Sequence, residues 1–267
     1  MPYRSAMDVV NEKVKSMARG RESPAPGADS ARRCPKHGTH SGTAVVAFHF
    51  KDGIVLAADA QSFEWNKIYT HDEKKVVQIS SHSALGVCGS VAMEQFITQK
   101  FLELLSYFEM RTEQEIPAAN QLRLFHRFMQ KLWSSYWFAD LEAGFIFAGV
   151  SPSGEPVLAE VSSDSALASR PIAAIGCGGD DAKAAIEHYF ETGSVTKLTR
   201  AEALTLGVRA IFRAAYKDAF VGHPLVDLPM VAFITKDGYE EVAKEEMKKT
   251  VLEVGREVEK AKRGGMR

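Results

Sequence analysis

The chain is short of cysteine, of net charge and of long apolar runs. Its three cysteines, Cys34, Cys88 and Cys177, follow neither a zinc-ligand spacing nor the even count of a disulfide framework, a usage that fits a reducing, cytoplasmic setting. Lys plus Arg is 33 against 34 for Asp plus Glu, a net charge of -1, so nothing draws the protein in general to nucleic acid or to an anionic membrane. The first twenty residues carry charges throughout and no seven-residue apolar run, which argues against a secretory signal, and no stretch reaches the about 20 apolar residues that span a bilayer. Cys34, His37 and His40 lie close together but lack a fourth ligand, so neither a metal nor a cofactor is expected.

What is present is the composition of a globular domain: 267 residues, 45% hydrophobic and 25% charged, enough for one large core or two small ones. The two ends differ in kind. Residues 1 to 42 are net +4 and, from Gly20 on, rich in Gly, Pro and Ser, while the remainder is net -5. From Thr43 the pattern turns to short strands. TAVVAFHF (43–50) and GIVLAAD (53–59) flank the turn Lys51-Asp52-Gly53, a strong hairpin signal, and KKVVQI (74–79) and ALGVCG (84–89) form a second pair. Met93, Phe96, Ile97, Phe101, Leu104, Leu105 and Phe108 then recur at helical spacing, as do Leu122, Phe125, Met129, Leu132 and Trp133. Strands return at 144–151 and 156–162. Two more helices are expected, near 180–191 and from Thr199, where Thr199 and Glu202 make a capping box. MVAFIT (230–235) and YEEV (239–242) flank a second Lys-Asp-Gly turn, and a charged helix runs from about 243 to 263. Helices grouped between blocks of antiparallel strands predict an α+β fold, a four-layer αββα sandwich of two antiparallel sheets flanked by helix pairs.

The junction Gly42-Thr43 sits where the tail meets the first strand. Were that bond cut, the free α-amine of Thr43, with a reference pKa of about 7.7–8.0, would share a residue with its hydroxyl and could serve as its general base. Taken alone, a threonine at a strand start is merely a β-branched residue in its usual place. Asp59 and Lys75, sixteen and thirty-two residues on, fall at strand ends that antiparallel pairing can bring together. A lysine there would favour loss of the nucleophile's proton, and an aspartate would hold it charged. Gly89, at the end of the fourth strand, offers a backbone N–H to an oxyanion.

The run GTAVVAFHFKDGIVLAAD, followed by EKKVVQI and LGVCGSVAMEQ, resembles the β-type subunits of the proteasome core particle, which are N-terminal-nucleophile hydrolases. The resemblance covers roughly residues 42 to 242 and is sharpest between 42 and 95. It implies the same αββα sandwich and a threonine endopeptidase, with Thr43 as nucleophile exposed by autocatalytic cleavage after Gly42. Asp59 and Lys75 would be its charged partners and Gly89 its oxyanion donor. Residues 1 to 42 become a propeptide and 43 to 267 the catalytic domain. The implied partners are further copies in homo-oligomeric, heptameric β rings, α-type ring subunits, an ATP-dependent unfoldase or other regulator, and unfolded protein substrates.

The resemblance also marks departures. Cys177 stands where a serine assisting the terminal amine is usual; Asp218 matches the second aspartate, but Val221 replaces another serine. Gln61 and Phe63 occupy a stretch that commonly carries Arg and Thr. A thiol is a weak donor and valine none. These changes motivate a second reading, a catalytically silent structural subunit, and a third is another N-terminal-nucleophile amidohydrolase. By the same resemblance, Ser62, Glu73, Val77, Val87, Val91 and Gln95 line the substrate side-chain pocket, with Phe63 at the groove edge. Three valines favour an uncharged hydrophobic residue on the acyl side of the cut, against the one carboxylate of Glu73.

Overall fold

The runs Val45–Phe50 (β1) and Gly53–Ala58 (β2) are apolar except for the half-buried His49, because both of their faces are buried. Val45, Ala47, Ile54, Leu56 and Ala58 face a second sheet, while Val46, Phe48, Phe50, Val55 and Ala57 face helices. A two-residue turn joins them, with Phe50 opposite Gly53, and Thr235 opposite Gly238 repeats that turn in the second Lys-Asp-Gly hairpin. The computed structural model describes residues 42–64, 67–133, 143–161, 167–192 and 197–264. Apart from Gly42, the expected tail with Cys34, His37 and His40 lies outside the described residues, as does Ser162 of the expected strand 156–162.

Two five-stranded antiparallel sheets carry the fold. The first has β1 and β2 with Ile172–Ile175 (β10), Met230–Thr235 (β11) and Gly238–Glu241 (β12), in the order β10-β1-β2-β11-β12. The second has Val76–Ser80 (β5), Ser83–Gly89 (β6), Ala143–Val150 (β7), Pro156–Val161 (β8) and Leu167–Ser169 (β9), paired in sequence order. Ser62–Glu64 (β3) and Lys67–Thr70 (β4) make a separate small hairpin that the sequence pattern did not announce.

Helices Val91–Thr112 (α1) and Ala118–Trp133 (α2) cover the second sheet through a core that includes Phe101, Phe125 and Phe145, whose rings are 4.7 and 5.2 Å apart in sequence. Such ring pairs add about 0.5–1.5 kcal/mol each beyond the area they bury. Gly179–Thr192 (α3) and Arg200–Lys217 (α4) cover the first sheet, and the expected capping box at Thr199 and Glu202 is present. The sandwich is thus the four-layer αββα arrangement expected, with one difference. The charged C-terminal helix, Lys244–Gly264 (α5), joins the layer of α3 and α4 by burying Met247, Val251 and Val254, so that layer has three helices.

Candidate active site

Asp59 follows β2 directly. Its backbone N–H donates to the carbonyl of Ala44 at 3.1 Å, and Ala44 N–H donates to Asp59 Oδ1 at 2.8 Å, so the end of β2 is locked to the start of β1. Asp59 Oδ2 accepts from the N–H groups of Gln61, at 3.2 Å, and Gly222, at 3.0 Å. Lys75 belongs to the other sheet: it precedes β5, and its carbonyl accepts from Val87 N–H of β6 at 2.9 Å. Its side chain crosses to the first sheet, and the ammonium donates to Asp59 Oδ1 and Oδ2 at 2.9 and 3.0 Å, to the Gly42 carbonyl at 3.0 Å and to the Gln61 carbonyl. Thr43, Asp59 and Lys75 are 1%, 0% and 3% exposed, and a buried ammonium is tolerable only with such partners. Gln61 takes part through its main-chain carbonyl, which any residue type provides.

The hydroxyl of Thr43 donates to the Gly42 carbonyl at 2.8 Å, so the hydroxyl and the ammonium of Lys75 meet on one oxygen. Only glycine fits at position 42, because a Cβ there would lie 1.7 Å from the carbonyl oxygen of Phe220. On the other side, Thr43 N–H donates to Cys177 Sγ at 3.4 Å, and the Thr43 carbonyl accepts from Gly178 N–H at 3.1 Å. Gly176 has φ 88°, and a Cβ on it would come within 2.2 Å of that carbonyl oxygen, so glycine is required twice over. The Cys177 thiol is pushed up to about 11, first by partial burial and then by a hydrogen bond with the Asp218 carboxylate, and so stays neutral. Asp218 terminates α4, and its carboxylate also accepts from Phe220 N–H at 2.9 Å. Val221 is buried in the apolar core, packed near Gly178, and brings no polar atom to Thr43. Gly89 closes β6 opposite Ala143 with φ 127°, and no hydrogen bond joins it to Gly42 or Thr43 in the uncut chain.

Next to Lys75 opens a cavity of about 380 Å³ lined by Glu73, Lys74, Val77, Val87, Glu94, Gln95, Thr98, Gln99 and Leu102. Four residues assigned to the pocket from sequence, Glu73, Val77, Val87 and Gln95, lie on it. Val91, Ser62 and Phe63 are not among its lining residues. Val91 begins α1, Ser62 is buried at the start of β3, and Phe63 packs its ring edge-on against Phe220 at 5.2 Å. Sequence reading missed Glu94 and Thr98. Their spacing of four along α1 puts them on one helix face, a signal masked because an acid in a helix's first turn is ordinary.

The proteasome subunit family model matches residues 39–226, which contain every one of these groups. The chain belongs to that family, as a β-type subunit. It is 28% identical to the proteasome subunit beta of Archaeoglobus profundus over 218 residues, covering 81% of this chain and 95% of that one. It is also 28% identical to the proteasome subunit beta of Streptomyces griseus, over 91% of this chain and 84% of that one. Proteasome subunit beta 1 of Pyrococcus furiosus is 27% identical, over 75% and 96% respectively. This β-type subunit therefore carries a core-particle fold, and among its described residues no helix is long and apolar enough to cross a membrane.

Proposed function

We propose that this β-type subunit is a threonine endopeptidase, made as a zymogen and activated by autocatalytic cleavage between Gly42 and Thr43. The observation that carries the reading is the convergence of the Thr43 hydroxyl and the Lys75 ammonium on the Gly42 carbonyl oxygen, at 2.8 and 3.0 Å. In the uncut chain, Thr43 Oγ attacks the Gly42 carbonyl carbon while Lys75 stabilises negative charge on its oxygen. The C–N bond breaks, the amine of Thr43 takes a proton, and an ester joins the Gly42 carbonyl to Thr43 Oγ. Water hydrolyses that ester, releasing residues 1 to 42 with a terminal carboxylate and leaving Thr43 with a free amine and a free hydroxyl. In the mature enzyme the amine accepts the hydroxyl proton, the hydroxyl attacks a substrate peptide carbonyl, and Gly89 N–H faces the oxyanion. Cys177 and Asp218 orient the amine.

On this reading the subunit works in the cytoplasm within homo-oligomeric heptameric β rings stacked on α-type rings. An ATP-dependent unfoldase or another regulator feeds it unfolded proteins. Intact mass and peptide hydrolysis of purified particles test the reading together. Wild-type subunits should begin at Thr43 and be active, and Thr43→Ala subunits should keep residues 1 to 42 and be inactive. Active particles whose subunits begin at Met1 would overturn it. The weak sulfur acceptor at Cys177 favours a second reading, a structural subunit that never processes itself, and unprocessed, inactive wild-type particles would establish it.

A further inference from the structure

The cavity beside Lys75 is more polar than three valines suggest. Its apolar wall is Val77, Val87 and Leu102, while Glu73, Glu94, Gln95, Thr98 and Gln99 bring acceptors to it. Glu94 is 5% exposed, yet its carboxylate accepts no hydrogen bond from any described residue. The hydroxyl of Thr98, also 5% exposed, has no hydrogen-bond partner either. A buried carboxylate without a hydrogen-bond partner among the described residues, on a residue that lines an open cavity, is a group awaiting a donor. Lys74 is exposed and makes no ion pair with either glutamate among the described residues. The Lys75 ammonium, though close enough to act on both carboxylates through space, is committed to Asp59.

Taking the chain as a threonine endopeptidase, we propose that this cavity receives the side chain on the acyl side of the scissile bond and selects a cationic one, Arg above Lys, through Glu73 and Glu94. The cavity wall is built from the residues that flank the proposed catalytic lysine: Glu73 and Lys74 precede it in the chain, and Val87 N–H is bonded to its carbonyl. A long cationic side chain matches both parts of the lining. Its methylene stem lies along Val77, Val87 and Leu102, and its head meets the carboxylates. The guanidinium suits it better than an ammonium because its five N–H donors reach several acceptors at once. A hydrophobic side chain would instead seal the Glu94 carboxylate from water without supplying a donor, which is costly.

The selection also varies with pH. The titratable groups facing Glu94 are Glu73, Lys74 and Lys75 from the segment leading into β5 and Cys88 from β6. Burial raises the Glu94 carboxyl to about 7, against the opposing pull of Lys75 and with some help from Glu73, whose own carboxyl is also raised by burial. The Cys88 thiol, pushed up to about 12 by burial, stays neutral and adds no charge. Glu94 therefore ionises across neutrality, and the preference for a cation strengthens as it does.

Processed, assembled particles and two fluorogenic peptides differing only in a terminal Arg or Leu test the proposal. We expect the Arg peptide to have the higher kcat/KM. The Arg-to-Leu ratio should rise between about pH 6 and 8, and should fall about tenfold or more in Glu94→Gln and in Glu73→Gln. The ratio is the readout because the Thr43 amine titrates in the same range and affects both peptides alike. A Leu peptide cleaved faster than the Arg peptide, or a ratio untouched by both substitutions, overturns the selection and leaves the endopeptidase reading standing. Cleavage of neither peptide by particles lacking residues 1 to 42 overturns the endopeptidase reading, and this inference with it.

Discussion

The Lys75 ammonium donates to both carboxylate oxygens of Asp59, at 2.9 and 3.0 Å, in a pair that joins the two sheets of the sandwich and is closed to solvent. The two partners are not equivalent. Asp59 also accepts three backbone N–H groups, from Ala44, Gln61 and Gly222, whereas Asp59 is the one carboxylate that pairs directly with Lys75 among the described residues.

Removing the aspartate should therefore cost more than removing the lysine. Asp59→Ala leaves a buried ammonium without its paired carboxylate and three N–H groups without their acceptor, a loss of about 3–5 kcal/mol. Lys75→Met leaves a carboxylate still held by three donors, and should cost clearly less while blocking processing as completely. Thermal unfolding of the two variants beside wild type decides the order, and a lower Tm for Lys75→Met than for Asp59→Ala would contradict it.

On the proposed cleavage Gly42 leaves with the tail, so its substitution should matter only before the cut. A Cβ at position 42 collides with the Phe220 carbonyl, so the backbone there must shift, which disturbs the Gly42 carbonyl held by Lys75 and Thr43. A displacement of about 1 Å at a reacting centre can slow a step by about 10²-fold, so Gly42→Ala should accumulate precursor. Timed intact-mass measurement after assembly would show it; processing at the wild-type rate would mean that the junction tolerates the shift.

The geometry around these residues was partly legible in the sequence. Thr43, Asp59 and Lys75 lie near strand ends, and two tight hairpins with apolar runs were enough to bring strand ends together. The pairing of β1 with β10, which places Cys177 and Gly178 beside Thr43, joins segments far apart in the chain and has no local signature. The extra helix in the α3 and α4 layer was hidden by the charge of α5, whose narrow stripe of Met247, Val251 and Val254 suffices to dock it. Glu94 and Thr98 were invisible for a different reason. Their burial depends on how α1 sits against β5 and β6, and helical spacing alone does not distinguish a cavity wall from solvent.

Cys177 should resist alkylation although the residue is exposed. With its thiol raised to about 11, the thiolate is well under about 1% of the population at pH 7.5, and the thiolate is the nucleophile. Iodoacetamide should leave peptide hydrolysis intact over times that label an ordinary surface thiol. Cys177→Ser should raise hydrolysis a few-fold, since a hydroxyl makes a shorter and stronger bond to the Thr43 amine than a sulfur at 3.4 Å. It should also move the acid limb of the pH profile, which a purely structural substitution would not. Rapid inactivation by iodoacetamide would show that the thiol is more acidic than its surroundings imply.

The raised carboxyl of Glu94 also predicts how stability depends on pH. Burial holds it at about 7 in the folded chain, against an ordinary value of 4.5 when unfolded. Between those values the folded state binds the extra proton, so the contribution of Glu94 to stability is fully present below about pH 4.5 and is lost as the pH rises through 7. The span corresponds to about 3 kcal/mol at most, since each unit is worth about 1.4. Glu94→Gln abolishes this dependence while keeping the side chain's shape. The variant should thus gain on wild type as the pH is raised, by about 2–4 °C of Tm for each kcal/mol recovered. Calorimetry of both proteins at about pH 5 and pH 8 tests the sign directly: the difference, variant minus wild type, must be more positive at pH 8. A difference that is the same at both pH values would mean that Glu94 is already ionised throughout, held by Lys75 more strongly than burial opposes it.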